Sequence, residues 1–192
     1  MHRDRTKPLA AAEIGISPVS GLGAFAVLAP IGLDDWSDVR HLHVQAFDKL
    51  VAANLDNSEA QAYKAVLTSF EYGEALQDAN LVGAWIDGHL VGTCNWRPAD
   101  DAGASARIGG LFVDPLFARI GLGRRLVQET EASARAAGFR VLAVHAPANA
   151  IGFFAGVGYT VASHGIHAID SSIGFPVAFM RKVCPRDDGK GD

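Results

Sequence analysis

The chain has 192 residues, 49% of them hydrophobic and 20% charged, and a formal net charge of −4. That is the composition of one globular domain with its own core, and it lacks the basic excess of a nucleic-acid binder. No apolar run reaches the ~18–20 residues of a membrane helix, and no apolar stretch follows the basic N-terminal residues, so neither a span nor a secretory leader is expected.

In chain order, residues 1–20 and 185–192 read as loose ends around a single domain at 21–184. A first strand is predicted at 25–29, closed by Pro30 and Gly32. Asp34 or Asp35 is placed to cap a helix whose apolar face is Trp36, Val39, His43, Phe47 and Leu50. A second helix is predicted from Ser58, with Gln61 completing a capping box and Ala62, Tyr63, Val66, Leu67 and Phe70 buried. Strands at 81–86 and 89–96 flank Asp87-Gly88, a two-residue hairpin turn. A strand at 107–113 stops at Pro115. A helix follows at 122–137, closed by Gly138, and then a strand at 140–146. Strand, helix and strand in that order make a βαβ unit with parallel strands. A short helix at 149–156 and strands near 159–169 and 176–183 complete a mixed sheet carrying helices, an α/β or α+β fold.

The stretch richest in chemistry is Leu111-Phe112-Val113-Asp114-Pro115-Leu116-Phe117-Ala118-Arg119-Ile120-Gly121-Leu122-Gly123-Arg124-Arg125. Two glycines in a loop that opens a helix let the backbone approach a ligand closely. The free N–H groups of the first helical turn, backed by the helix dipole, suit a phosphate or diphosphate. Arg119, Arg124 and Arg125 add charge for phosphate oxygens. A dinucleotide fingerprint would have a third glycine where this chain has Leu126, and the Gly-Lys-Ser/Thr of a P-loop is absent. The pattern is that of a diphosphate loop, or of a tight strand-to-helix turn with surface arginines.

The same stretch resembles the cofactor motif of the GNAT superfamily of N-acetyltransferases, a strand ending in Val-x-Pro followed by Arg/Gln-x-x-Gly-x-Gly/Ala. Asn149-Ala150-Ile151-Gly152-Phe153-Phe154-Ala155-Gly156-Val157-Gly158-Tyr159 resembles that family's second motif, and Pro176 to Lys182 resembles its last strand. The resemblance implies a mostly antiparallel mixed sheet, helices on both faces, and a central parallel pair that splays between residues 111–113 and 141–145. It also implies acetyl-coenzyme A as co-substrate and a small amine as acceptor, with no metal. The pantetheine arm would pair with backbone at Leu111 and Val113, either side of Phe112. The diphosphate would lie on the amides of Arg119, Ile120, Gly121, Leu122, Gly123 and Arg124, and Asn149 and Phe154 would flank the cofactor arm. Many members of the family are homodimers, and the strands from Tyr159 onward are a place for pairing.

Departures from the pattern bear on catalysis. Ala118 stands where the glycine motif usually begins with Arg or Gln, Arg107 where some members carry a general-base Glu, and Phe154 where the family has an acidic Tyr. Phenylalanine cannot donate a proton, but a thiol with a pKa near ~8.5 leaves tolerably without one. An alkyl ammonium near ~10 must still lose its proton. His145, at the end of the splayed strand, is the positional candidate for a base or for holding a water; it is also readable as a histidine satisfied at a strand end. Glu71, Tyr72 and Glu74 could face the substrate or solvent. His41 and His43 do not share a helix face, His164 and His167 have no ligand partner in sequence, and no Gly-x-Ser-x-Gly elbow occurs. Cys94 and Cys184 lack metal spacing and read as reduced thiols of a cytoplasmic protein.

Residues 31–80, which would roof the acceptor site, hold nine acidic side chains (Asp34, Asp35, Asp38, Asp48, Asp56, Glu59, Glu71, Glu74, Asp78) against Arg40, Lys49 and Lys64, a balance of −6. They read either as solvated helix faces or as a field favouring an acceptor with spare positive charge. The rival reading is a non-catalytic acyl-coenzyme A binding or sensory module of the same fold.

Overall fold

Turn chemistry and alternating burial bring seven strands into one sheet in the order β1-β2-β3-β4-β5-β7-β6. The strands are β1 (Val27–Pro30), β2 (Asn80–Ile86), β3 (His89–Pro98), β4 (Ser105–Val113), β5 (Val141–Pro147), β6 (Thr160–Ala168) and β7 (Gly174–Val183); the helices are α1 (Trp36–Leu50), α2 (Asn57–Thr68), α3 (Phe70–Gln77), α4 (Leu122–Ala136) and α5 (Ile151–Gly156). The computed structural model describes residues 25–99, 105–168 and 174–185. The loose ends expected at 1–20 and beyond Pro185, and the strand end expected at residue 169, lie outside them. Among the described residues only β4 and β5 pair in parallel, and the other pairings are antiparallel. Asp87 and Gly88 turn the β2–β3 hairpin with φ of 50° and 79°.

Successive residues of a strand face opposite sides, and β3 uses this to seat helices on both. At Gly92 the missing side chain admits α4: a Cβ there would stand 2.8 Å from Leu126 Cδ1. On that face Leu122, Leu126, Val127, Leu142, Val144 and Met180 form the main core. At Thr93 the other face receives α1, where Nε2 of buried His43 lies 2.8 Å from Thr93 Oγ1.

Three local expectations are corrected. Asp35 does not cap α1; its Oδ2 accepts from the Gly32 N–H at 2.8 Å and braces the turn before the helix. The capping box of α2 is Asp56 and Glu59, each accepting the other's N–H at 2.9 Å, not Ser58 and Gln61. The Ser58 hydroxyl instead donates to Asp56 Oδ1, and an ionised carboxylate is the stronger acceptor for orphan N–H groups. Finally, the second helix stops at Ser69, which is extended and caps α3 by accepting from Tyr72 N–H at 3.1 Å. Phe70 therefore starts a new helix and is 71% exposed instead of buried.

His43 fixes α1 through a directional chain. The Thr93 hydroxyl donates to the Gly110 carbonyl at 2.8 Å, so it accepts from His43 Nε2–H. Nδ1 of the ring then accepts from the Tyr72 hydroxyl at 2.9 Å, and the ring stacks on Phe112 at 4.2 Å. Burial pushes the His43 pKa down to about 3. The unfolded chain takes up this proton below the ordinary value of 6.5 while the folded one does not, so stability falls as pH drops from 6.5 toward 3. The slope is at most about 1.4 kcal/mol per pH unit. Urea unfolding from pH 7 to 4 should show the stability gap between wild type and His43→Gln narrowing with acid; a constant gap contradicts a buried neutral ring.

Candidate functional site

The β4–β5 ladder has three residue pairs, Ser105↔Val141, Ala106↔Leu142 and Arg107↔Ala143, and then stops. Two features part the strands. Against β3, β4 carries one extra residue, because Thr93 pairs with Phe112 but Asn95 with Gly109. Such a bulge bends its strand. Gly110 sits in it at φ 56°, where a Cβ would lie 2.4 Å from Asn95 Nδ2, so glycine alone suits the position. On the other side, β5 pairs with β7 along its whole length, from Val141↔Val183 to Pro147↔Val177. Beyond Arg107 and Ala143, the facing edges of the two strands have no ladder between them. Leu111 and Val113 pack toward the α4 core, while Phe112 points to His43.

The loop after β4 opens beside this gap. Asp114 Oδ1 accepts from Leu116 N–H at 2.8 Å and sets a short turn, Pro115–Phe117. Arg119 (φ 68°) and Gly121 (φ 88°) are both left-handed, and such residues turn nearby N–H groups into an anion-binding concavity. Gly121 is the N-cap of α4, whose first backbone bond is Arg125 N–H to Gly121 carbonyl at 3.2 Å. The N–H groups from Ile120 to Arg124 have no acceptor among the described residues. A Cβ on Gly123 would meet the Phe153 ring at 3.6 Å and Val113 Cγ2 at 3.7 Å, ordinary contact distances. Arg119 and Arg124 are exposed; Arg125 turns away to bond the Ala26 carbonyl at 3.3 Å. Five free amides at a helix start with two arginines fit a diphosphate.

The acetyltransferase (GNAT) family model matches residues 36–159. The chain belongs to the GNAT acetyltransferase family. Its fold is shared by a GCN5-related N-acetyltransferase from Rhodopseudomonas palustris (TM-score 0.73, 21% identity, covering 90% of this chain and 99% of that one). It is shared also by PaiA N-acetyltransferase from Thermoplasma acidophilum, solved with coenzyme A (0.64, 16%, 82% and 98%). A third is a ribosomal-protein-alanine N-acetyltransferase from Brucella melitensis (0.61, 16%, 82% and 99%). No curated protein matches the chain.

Within the GNAT frame the remaining expected residues fall as follows. Asn149 is exposed, and its Nδ2 donates to the Leu50 carbonyl at 3.0 Å, tying the turn before α5 to the end of α1. Phe154 is buried against Phe153 and Tyr159 in the core. Its half-buried neighbour Phe153, which sequence reasoning did not single out, is the ring beside Gly123. His145 is half-buried with Nδ1 3.5 Å from Nδ1 of His167, and its ring 4.7 Å from that of Phe179. Burial lowers the His145 pKa, and nearby Arg107, His167 and Arg97 lower it further. Sequence separation hid the His145–His167 pair; only the β5-β7-β6 order joins them.

Four of the nine acidic residues at 31–80 are engaged within the fold. Asp56 and Glu59 cap α2, Asp48 pairs with Lys64 at 2.6 Å, and Asp35 holds Gly32. Asp34, Asp38, Glu71, Glu74 and Asp78 are exposed, and Tyr72 is bound to His43.

Replacing Gly123 by Ala should leave stability unchanged or raise it by up to about 1 kcal/mol, since alanine is the better helix former and its Cβ would make only ordinary contacts. Coenzyme A affinity should fall by about tenfold or more, the worth of a charge-assisted bond lost when the backbone cannot close on an anion. Calorimetric titration with parallel unfolding checks both. A destabilised variant with unchanged affinity would make this loop a structural turn.

Proposed function

We propose that this GNAT protein transfers the acetyl group of acetyl-coenzyme A to an amine of a small acceptor by direct attack in a ternary complex. The observation that carries it is the end of the β4–β5 ladder at Arg107↔Ala143, next to a helix start with free amides. In this reading the diphosphate rests on the amides of residues 119–124 and the pantetheine arm runs into the gap along residues 111–113, with Asn149 and Phe153–Phe154 near its path. The amine nitrogen bonds to the acetyl carbon, the carbon–sulfur bond breaks, and the thiolate departs without an acid. Backbone N–H near Leu111 steadies the oxyanion.

His145 takes the proton in this scheme. Its pKa lies below 6.5 through burial and cationic neighbours, so the ring is neutral at pH 7 and has a lone pair to offer. The exposed faces of edge strand β6, with Val161 44% and Ile166 64% exposed, support pairing into a homodimer, which light scattering registers as a doubled mass. Two free, buried cysteines, with Cys94 pushed up to about 12, fit a reducing cytoplasm. No helix among the described residues is long and apolar enough to cross a membrane. The charge of residues 31–80 would favour a cationic acceptor through its five exposed carboxylates, whereas Arg107, where the strands part, favours the opposite charge.

Acetyl-coenzyme A should bind, and thiol release should follow with amines from a broad panel. His145→Gln should lower kcat by about 10²–10⁴-fold with cofactor affinity unchanged. No binding at millimolar cofactor overturns the assignment; binding without turnover on any amine favours a sensory module, to which Arg107 and buried Phe154 would be suited.

A further inference from the structure

Arg97 and Arg107 stand directly opposite each other in the β3–β4 ladder, so their side chains leave one face with Cβ atoms ~5 Å apart. Like charges in that position repel and cost stability. Neither arginine has an ion pair with a described carboxylate. Arg107 is also the last residue of β4 paired to β5, which puts it at the apex where the strands part. Two residues beyond its partner Ala143, His145 leaves the same face of β5, about 6–7 Å further along. His145 adjoins His167 and Phe179; the His167 ring is 5.3 Å from that of Phe175, which meets Tyr63 of α2 at 5.4 Å. The α1–α2 side of the sheet thus carries two arginines where the strands part, with imidazole and phenyl rings further along the same face.

These arginines are poorly placed for the cofactor's diphosphate. Arg107 lies six residues before Val113 on β4, roughly 20 Å at strand rise, and the free amides come later still. The arginines also share the face of His145, whereas Leu122 and Leu126 of α4 pack on the opposite one. A half-buried arginine beside a second arginine, with no described carboxylate between them, is stabilised by any oxyanion that spans them, and the guanidinium fork suits two-oxygen groups.

We propose that the acceptor carries an oxyanion, a carboxylate or a phosphate, on the same small molecule as its amine, and that Arg97 and Arg107 bind that group while the amine reaches His145. The proposal rests on the transferase reading of the gap. The short spacing along β5 means that amine and oxyanion are a few bonds apart, as in an amino acid or an amino-alkyl phosphate.

Matched amines decide it: an amino acid against its amide, and an aminoethyl phosphate against aminoethanol, at fixed ionic strength. The oxyanion-bearing member of at least one pair should have kcat/KM about ten- to hundredfold higher, and the two pairs tell carboxylate from phosphate. Arg97→Gln and Arg107→Gln should each raise KM for that member about tenfold or more, well beyond any change for its neutral counterpart and with acetyl-coenzyme A affinity unchanged. Preference for neutral or cationic amines overturns the proposal, as does an equal loss of acetyl-coenzyme A affinity. A second readout needs no turnover. Inorganic phosphate or acetate should raise the melting temperature of the wild type but not of the doubly substituted protein, which alone should be at least as stable because the repulsion is gone. No shift with either ion overturns the oxyanion site. A shift without turnover of any amine keeps the site and overturns the transferase reading instead.

Discussion

Hydrogen bonding between β4 and β5 ends after three residue pairs, and the rest of the molecule is organised around that ending. Two neighbouring parallel strands would ordinarily continue their ladder, because unpaired backbone groups inside a sheet are costly. Here the bulge at Gly110 bends β4 while β7 keeps hold of β5. The bulge is itself braced from the α1 side. Thr93 grips the Gly110 carbonyl, His43 grips Thr93, Tyr72 grips His43, and Asn95 fills the space a side chain on Gly110 would take. Three elements far apart in sequence thus hold one glycine in a conformation that exposes strand edges to a ligand.

The sheet keeps its two faces chemically separate. On the α4 side glycines at 92 and 123 allow close approach and the helix start offers free amides. A part-buried pair, Lys182 Nζ and Glu131 Oε2 at 2.6 Å, ties α4 to β7, and Lys182 also donates to the Val157 carbonyl at 2.9 Å. Removing Lys182 would strand the buried Glu131 carboxylate. The other face carries arginines, histidines and phenyl rings.

Much of this was legible in the sequence because it rests on local rules. Asp87-Gly88 demanded a hairpin, Gly138 after an apolar stripe ended α4 with φ 101°, the strand–helix–strand order gave the parallel pair, and the proline–glycine stretch gave a turn that opens α4. What stayed hidden depends on competition or on distance. The capping site of α2 moved to Asp56 because a carboxylate outcompetes a serine hydroxyl, and the break at Ser69 left no apolar signature. His145 and His167 are 22 residues apart and meet only through the crossover of β7. Arg97 and Arg107 read as surface charges until the register set them side by side. Counting charges over residues 31–80 gave a sign for the acceptor field, but the side chains nearest the gap carry the opposite one.

Amide hydrogen exchange with and without coenzyme A tests most directly that the open strands and the loop together form the cofactor site. The amides of residues 120–124, and those of residues 108–113 that point toward β5, should exchange quickly in the free protein and be protected together when the cofactor binds. Protection confined to other segments, or fast exchange of both stretches in the bound state, would contradict the account.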